Sequence, residues 1–179
     1  MPIDKVIFNE EWYNNLISKS NEKNILIEKM ERGLSFDNAV AYAQSIGIAE
    51  TDPSGDIDGW DAAIKVAALA TVLMNTALKP QEVDRQGIRG LTPADIQKAK
   101  DNGMRWKLVC TAEKAGGKLV TKVAPRQVPP TSPLYSVSGT SSFVLFKTDV
   151  LPGFGILESN PSPDTTAYGL LADMLNILI

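Results

Sequence analysis

Apolar positions in the first half of the chain recur at the spacing of helices. In GLSFDNAVAYAQSIG they fall three or four residues apart, with Ser35 before them as a helix cap and Gly47 after them as a stop. The run WDAAIKVAALATVLMNTAL predicts a longer, mostly apolar helix from about Trp60 to Leu78. Residues 10–31 predict two helical pieces separated by SKSNEKN. The first half is therefore expected to be helical.

The second half opens with one more helix and then changes to the alternating pattern of strands. TPADIQKAK carries Thr92 as a cap, Pro93 at the first helical position and Asp95 where a capping box places its acid. RWKLVCTAE and KLVTKVAP flank the turn AGGK, and SSFVLFKT and GFGILES predict two further strands. APRQVPPTSPLY is expected to be an irregular crossing, because prolines cannot donate to a sheet ladder.

A final helix, DTTAYGLLADMLNILI, ends in apolar residues, which suggests packing against a neighbour or a shortened chain. Helices first, strands next and a helix last predict an α+β fold, in which helices accompany a mainly antiparallel sheet.

Size and charge narrow the class of protein. A chain of 179 residues with 44% hydrophobic content is long enough for one well-buried core and predicts one globular domain. A net charge of −3 provides no field that would recruit nucleic acid or an anionic membrane surface. The most apolar run is interrupted by Lys65 and Asn75 and is shorter than the roughly 20 residues that span a bilayer, so no membrane helix is expected.

The residue types that are scarce limit the chemistry. The chain has no histidine, which excludes histidine triads, His-ligated zinc and imidazole acid–base catalysis. The single cysteine, Cys110, cannot form an intrachain disulfide, and the acidic N-terminal segment lacks the apolar centre of a secretory signal. We therefore expect a cytoplasmic protein in which carboxylates, lysine or tyrosine transfer protons.

One stretch, ETDPSGDIDGWDAAIK, combines acids with a lysine inside an apolar helix. Asp61 and Lys65 are four residues apart and share one helix face. An ordinary surface ion pair would explain them, but the surrounding alanines, valine and leucine leave little polar face, so we expect an enclosed pair. An enclosed lysine next to a carboxylate can keep its charge and exchange a proton with a ligand.

The loop before that helix adds further acids, so that five carboxylates lie within twelve positions. Acids near a helix N-terminus are stabilised by its partial positive charge, and Asp58 fits the position of the N-cap. Five acids exceed what capping requires and would suit an ammonium group or a metal cation. No metal-binding spacing such as an EF-hand loop is present, so no metal is expected.

The longest specific match is to a known enzyme family. KMERGLSFDNAVAYAQSIGIAETDPSGDIDGWDAAIKVAALA resembles the catalytic, substrate-binding part of homoserine dehydrogenases, which carry GLSF and the pattern E.DP..D..G.DAA.K. The resemblance continues through GIRGLTPADIQKAKDNGMRWKLV, GGKLVTKVAP, VPPTSPLYSVSGTSSFV and TAYGLLADML, covering about residues 21–176. It implies a catalytic and dimerisation domain over residues 21–179, preceded by an N-terminal helical extension at residues 1–20.

The resemblance also implies roles for particular residues. Lys65 matches the lysine that handles the proton of the substrate hydroxyl as hydride moves to or from NAD(P), and Asp61 matches the acid beside it. Glu50 and Asp56 match acids that hold the amino end of homoserine or aspartate semialdehyde, and Asn24 matches a residue close to the substrate. The family domain pairs with a second copy through its sheet, so the resemblance implies a homodimer.

The departures from the family all fall on the cofactor side. No G-x-G-x-x-G motif exists, so cofactor-binding residues are unknown and a nucleotide-binding domain would have to come from elsewhere. NEKN stands where the family has GT.N, keeping Asn24 without the glycine, and SNPSPDTT replaces a glycine-rich loop. Ile48 stands where a tyrosine is common. NAD(P) is therefore expected by resemblance, although not bound by this chain alone.

Two alternatives stay open beside this interpretation. In the first, the domain stands alone and uses Lys65 with the carboxylates for nicotinamide-independent proton transfer or imine chemistry. In the second, the fold serves as a non-catalytic dimerisation module in which the acids have no function.

Overall fold

The helices and strands follow the block order that the sequence predicts, except at the N-terminus. A computed structural model describes residues 3–9 and 22–178. The elements are β1 Ile3–Asn9, α1 Glu22–Glu31, α2 Phe36–Ser45, α3 Ser54–Ile57, α4 Trp60–Met74, a 3₁₀ turn Pro80–Glu82, β2 Asp84–Arg85, α5 Pro93–Asp101, β3 Arg105–Ala115, β4 Lys118–Val128, β5 Ser142–Thr148, β6 Phe154–Glu158 and α6 Pro163–Ile177.

The strands form one six-stranded sheet in the order β2-β4-β3-β1-β5-β6. Every neighbouring pair of strands is antiparallel, except that the two-residue strand β2 runs parallel to β4. The α+β class with a mainly antiparallel sheet is therefore confirmed. The β3–β4 hairpin turns on Gly116 and Gly117, at φ 56° and 78°, a conformation that favours glycine at both turn positions.

Several sequence-predicted helix signals are confirmed. Ser35 caps α2 by accepting a hydrogen bond from the Asn38 backbone N–H at 3.3 Å. Thr92 and Asp95 form the predicted capping box at the start of α5. None of the helices within the described ranges is long and apolar enough to cross a membrane.

The N-terminal strand is a correction. Residues 3–9, predicted as part of a helical extension over 1–20, form β1 and pair with both β3 and β5 near the centre of the sheet. The segment IDKVIFN is short and rich in β-branched and aromatic residues, which suits a strand with neighbours on both sides. Residues 10–20 of the predicted extension lie outside the described residues.

Two boundaries also differ from the predictions. The long helix α4 ends at Met74, because Asn75 takes the left-handed conformation at φ 50° and stops it before Leu78. Strand β4 runs on to Val128, whereas the sequence prediction ended the strand at Pro125 and assigned residues 126–128 to an irregular crossing. The proline is tolerated because β2 pairs only with Lys122 and Val123, leaving β4 an open edge beside Pro125.

The sheet buries a different set of side chains on each face. On one face Leu108, Cys110 and Ala112 of β3 pack into the main core with helices α1, α4 and α5. On the other face Val109 packs with Val128 and Leu134, which belongs to the crossing segment between β4 and β5. The alternation follows the two-residue period of a strand, and it fixes the helical layer on one side of the sheet.

Helix α4 sits deep in this layer because small residues let its backbone approach its neighbours. Ala62, Ala63, Val66 and Ala70 are fully buried along one side of it. These contacts anchor the first two turns of α4, where Asp61 and Lys65 lie.

The loop after β2 holds the corner between α3 and α4. The Ile88 backbone N–H donates to the Ile57 carbonyl oxygen at 2.8 Å, and the Arg85 guanidinium donates to the Asp58 carbonyl oxygen. Gly87 lies against this corner so closely that an added Cβ would stand 2.1 Å from the Ile57 carbonyl oxygen. The fixed backbone at this contact leaves no room for any side chain.

We therefore predict that Gly87→Ala destabilises the protein. The methyl group would clash with backbone atoms that cannot rotate away, so we expect a loss of at least about 2 kcal/mol in the free energy of unfolding. Gly90→Ala is the matched control, because a Cβ there meets nothing within 4 Å. Urea unfolding of the two variants tests the prediction, and equal stabilities would contradict it.

Candidate active site

The acidic loop and helix α4 meet at a tight corner. Gly59, at φ 77°, occupies the N-cap position of α4 without a side-chain cap, so the prediction that Asp58 is the N-cap is wrong. The Asp58 carboxylate instead accepts hydrogen bonds from Arg89 Nε at 2.8 Å and Nη2 at 3.2 Å. The hydrogen bond from Arg89 lowers the pKa of Asp58, which Arg89 therefore keeps in its charged form.

Lys65 and Asp61 form the enclosed pair that the sequence predicts. Lys65 Nζ lies 2.5 Å from Asp61 Oδ2, and the Lys65 side chain is only 4% exposed. The Asp61 side chain is 24% exposed, so the pair is reached from solvent on the carboxylate side. This geometry is that of a buried ammonium held one helical turn from its acid.

A second lysine, Lys23 on α1, joins the same cluster. Its Nζ lies 2.9 Å from Asp56 Oδ1 and 3.5 Å from Asp61 Oδ2, and its side chain is also 4% exposed. We define the lysine–carboxylate cluster as Lys23, Asp56, Asp61 and Lys65. Among the described residues it brings two buried ammonium groups within ion-pair distance of two partly exposed carboxylates.

The sequence interpretation missed Lys23, although a signal for it was present. Leu26, Ile27 and Met30 form the buried face of α1, and Lys23 lies three and four residues before the first two. The 3.6-residue period therefore places Lys23 on that buried face, where a lysine requires a carboxylate partner.

Asn24, predicted to bind substrate, is 5% exposed and its Nδ2 has no hydrogen-bond partner among the residues that the structure describes. Asp56 Oδ1 is likewise buried without a hydrogen bond of good geometry, although the Lys23 ammonium is 2.9 Å away. We describe the Lys23–Asp56 contact as an ion pair, because attraction between charges depends less on angle than a hydrogen bond does. Buried polar atoms left unsatisfied are costly and typical of sites that receive a ligand.

The remaining acids lie away from the cluster. The Glu50 side chain is exposed and makes no ion pair with the described residues, while its carbonyl oxygen accepts from Gln44 Nε2 at 3.0 Å. Asp52 accepts from the Ser54 backbone N–H at 3.1 Å, and hydrogen bonds from Ser54 lower its pKa. Of the four acids preceding α4, Asp56 alone reaches the cluster. These contacts do not test the functional roles expected for five residues, which therefore stay predictions: Lys65, Asp61, Asp56, Glu50 and Asn24.

We compared the described residues with the requirements of a metal site and of a dinucleotide site. Within residues 3–9 and 22–178 no group of three or more acids or cysteines is arranged to ligate a metal. A dinucleotide site of the common type needs parallel strands linked through a glycine-rich turn and a helix. In the described ranges the only parallel pairing is between β2 and β4, so these residues do not fit a dinucleotide cradle.

Comparison with known proteins assigns the family. The family model described as homoserine dehydrogenase matches residues 20–175. The NAD(+)-dependent homoserine dehydrogenase of Pseudomonas canavaninivorans is 36% identical over 155 residues, which are 86% of this chain and 44% of that protein. The homoserine dehydrogenase of Methanocaldococcus jannaschii is also 36% identical over 155 residues, covering 86% of this chain and 45% of the relative.

Solved structures agree with these sequence matches. The S. aureus homoserine dehydrogenase at pH 8.5 superposes with a TM-score of 0.84 at 25% identity, over 99% of this chain and 42% of that one. A hyperthermophilic archaeal homoserine dehydrogenase in complex with NADPH gives 0.75 at 26% identity, over 97% and 46%. The matches define the class as oxidoreductases. Within that class the chain belongs to the homoserine dehydrogenase family, and it spans less than half the length of these relatives.

The Asp58–Arg89 pair predicts how stability depends on pH. Because the pKa of Asp58 is lowered in the folded protein, its contribution is present above the unfolded value of about 3.9 and is lost as pH falls through the folded value. Asp58→Asn should therefore cost stability at pH 7, by no more than about 1 kcal/mol for so exposed a pair, and should cost less at pH 3, below the unfolded value.

Urea unfolding at both pH values measures this difference. The control is the same substitution in an Arg89→Met background, where the effect of Asp58→Asn should depend much less on pH, because only the weaker attraction of Arg85 remains to lower the pKa of Asp58. A penalty as large at pH 3 as at pH 7 would refute the assignment.

Proposed function

We propose that this chain is the substrate-binding and catalytic domain of a homoserine dehydrogenase, acting on homoserine or aspartate semialdehyde. The observation that carries the proposal is the burial of Lys65 beside Asp61 within a domain of this family. Hydride transfer to or from NAD(P) would need a nucleotide-binding domain in addition to residues 3–9 and 22–178, because these residues do not form a cradle for the nucleotide.

Lys65 is proposed to handle the proton on the substrate oxygen. When the aldehyde is reduced, its carbonyl oxygen gains negative charge, and an ammonium beside it both stabilises that charge and donates a proton. In the reverse direction the hydroxyl proton returns to the same nitrogen. Asp61 supports this role by holding the Lys65 side chain at 2.5 Å, so that the ammonium has one fixed position.

The amino end of the substrate is proposed to bind on the acidic side of the cluster. Asp56 lies there, on α3, and the unsatisfied Asn24 amide offers a donor to a carboxylate or carbonyl oxygen. Glu50 is proposed as a further acid for the substrate ammonium. Because its side chain is exposed and makes no described ion pair, this role requires the side chain to turn towards a bound ligand.

A nucleotide-binding domain is proposed to cover helix α6. This helix exposes apolar side chains along its length, including Leu170 at 61%, Leu171 at 54% and Met174 at 62%. Apolar exposure of this extent is typical of a surface that contacts another protein. More than half of the length of each relative lies outside the matched region, which is long enough to contain such a domain.

Pairing of two copies through the sheet is also proposed, as in the family to which the chain belongs. Leu157 of β6 is 58% exposed and Val120 of β4 is 54% exposed, and both lie on the sheet face opposite the main helical core. Apolar residues on that face support burial against a second sheet.

The imine alternative is less well supported by the geometry. The nitrogen that attacks a carbonyl must be a free amine, so an imine at Lys65 would require the ion pair with Asp61 to break. Asp61 lies one helical turn from Lys65, so nothing in the helix forces this ion pair apart. Proton transfer by Lys65 does not require the ion pair to break, and we therefore propose proton transfer rather than imine formation.

We predict that Lys65→Met abolishes most hydride transfer while leaving ligand binding. The chain would be mixed with the remainder of the Pseudomonas canavaninivorans relative outside the matched residues, and oxidation of homoserine followed by the absorbance of reduced nicotinamide. Because the variant loses the proton donor and acceptor without losing bulk, we expect the rate to fall at least about a hundredfold.

Two controls define the result. Lys118→Met removes the same charge from an exposed position at the β3–β4 hairpin and should keep the activity of the unsubstituted chain. Calorimetry should detect homoserine binding to both variants. Absence of hydride transfer and of homoserine binding in the unsubstituted mixture would rule the function out.

A further inference from the structure

Lys23 lies where a bound amino acid would be expected to place its own ammonium. We propose that Lys23 is a specificity-determining residue, an internal counter-ion that a substrate ammonium must displace from Asp56. The proposal rests on the proposed function in taking the lysine–carboxylate cluster as the amino-acid site. It adds that this chain weakens recognition of the amino group relative to the rest of the ligand.

The position of the Lys23 ammonium is the first support. Its Nζ is 2.9 Å from Asp56 Oδ1 and 3.5 Å from Asp61 Oδ2, the distances at which a ligand ammonium would contact two acids. The Lys23 side chain reaches the acids from α1 and is 4% exposed, so its ammonium is shielded from solvent, while the Asp56 and Asp61 side chains remain partly exposed to a ligand. Asp56 is, with Glu50, one of the two acids to which the family resemblance assigns the substrate's amino end.

Charge balance is the second support. Among the described residues, Asp56 and Asp61 each lie within ion-pair distance of a lysine, so a ligand ammonium would have to compete with Lys23 for Asp56. Without Lys23, Asp56 would lose this internal ammonium and would attract the ammonium of a ligand. Coulomb attraction is strong enough at these separations, in a partly buried site, to change affinity by an order of magnitude.

The sequence position of Lys23 is the third support. It lies within NEKN, the segment that departs from the family pattern GT.N and keeps only Asn24. The segment that lost the family's glycine therefore supplies a buried cation to the site. The pocket for the amino group in this chain therefore differs from one built on the family pattern GT.N by an added positive charge.

The inference predicts a particular preference among ligands. Homoserine and 4-hydroxybutanoate differ by the ammonium group alone, so their ratio of affinities isolates its contribution. We expect the unsubstituted chain to bind homoserine no more than a few-fold more tightly than 4-hydroxybutanoate. If it instead binds homoserine more than about tenfold more tightly, the acids are open to the ligand and the inference fails.

Calorimetry on Lys23→Met provides the direct comparison. Methionine keeps the length and apolar stem of the side chain and removes its charge, so we expect homoserine to bind about tenfold more tightly and 4-hydroxybutanoate to show no gain. Lys118→Met, which removes the same charge from an exposed position at the start of β4, should leave both affinities unchanged. Unchanged or weaker homoserine binding by Lys23→Met would overturn the inference.

A second measurement separates this inference from the proposed function, because it uses no amino acid and no hydride transfer. In Lys23→Ala the space left by the side chain should accept methylammonium, so methylammonium chloride should raise the melting temperature of this variant more than sodium chloride does. The unsubstituted chain should respond equally to both salts. A lack of homoserine binding together with methylammonium rescue would refute the substrate and keep the role of Lys23, whereas equal responses of Lys23→Ala to the two salts would refute that role.

Discussion

The shared charge balance among Lys23, Asp56, Asp61 and Lys65 is the constraint on which the rest of the site depends. Two ammonium groups with 4% exposed side chains require carboxylates within ion-pair distance, because an unpaired buried charge is costly. Asp61 contacts both lysines through the same oxygen and is the shared member of the cluster. A ligand that enters here must either join this balance or replace one of its members.

At this site the fold brings three helices together. Helix α1 carries Lys23, α3 carries Asp56, and α4 carries Asp61 and Lys65. The buried alanines of α4 allow its close packing in the helical layer, and the loop at Gly87 and Ile88 fixes the turn between α3 and α4. The antiparallel sheet supplies the rigid surface beneath, so the acids and lysines are positioned by packing rather than by a flexible loop.

Sequence reasoning succeeded where the signal was local. Asp61 and Lys65 share a helix face by their spacing, and the capping box at Thr92 and Asp95 is complete within four residues. It failed where partners are distant in the chain. The Asp58 carboxylate binds Arg89 instead of capping α4, and Lys23 reaches the acids from another helix. Strand β1 was missed for the same reason, because its hydrogen-bond partners lie on β3 and β5, more than ninety residues further on.

A crystal structure of this chain with homoserine bound tests the role of the lysine–carboxylate cluster most directly. We expect the ligand hydroxyl within hydrogen-bond distance of Lys65 Nζ, and the ligand ammonium on the side of Asp56. Homoserine bound with its hydroxyl away from Lys65, or at a site that does not include the lysine–carboxylate cluster, would show that the cluster is not the substrate site.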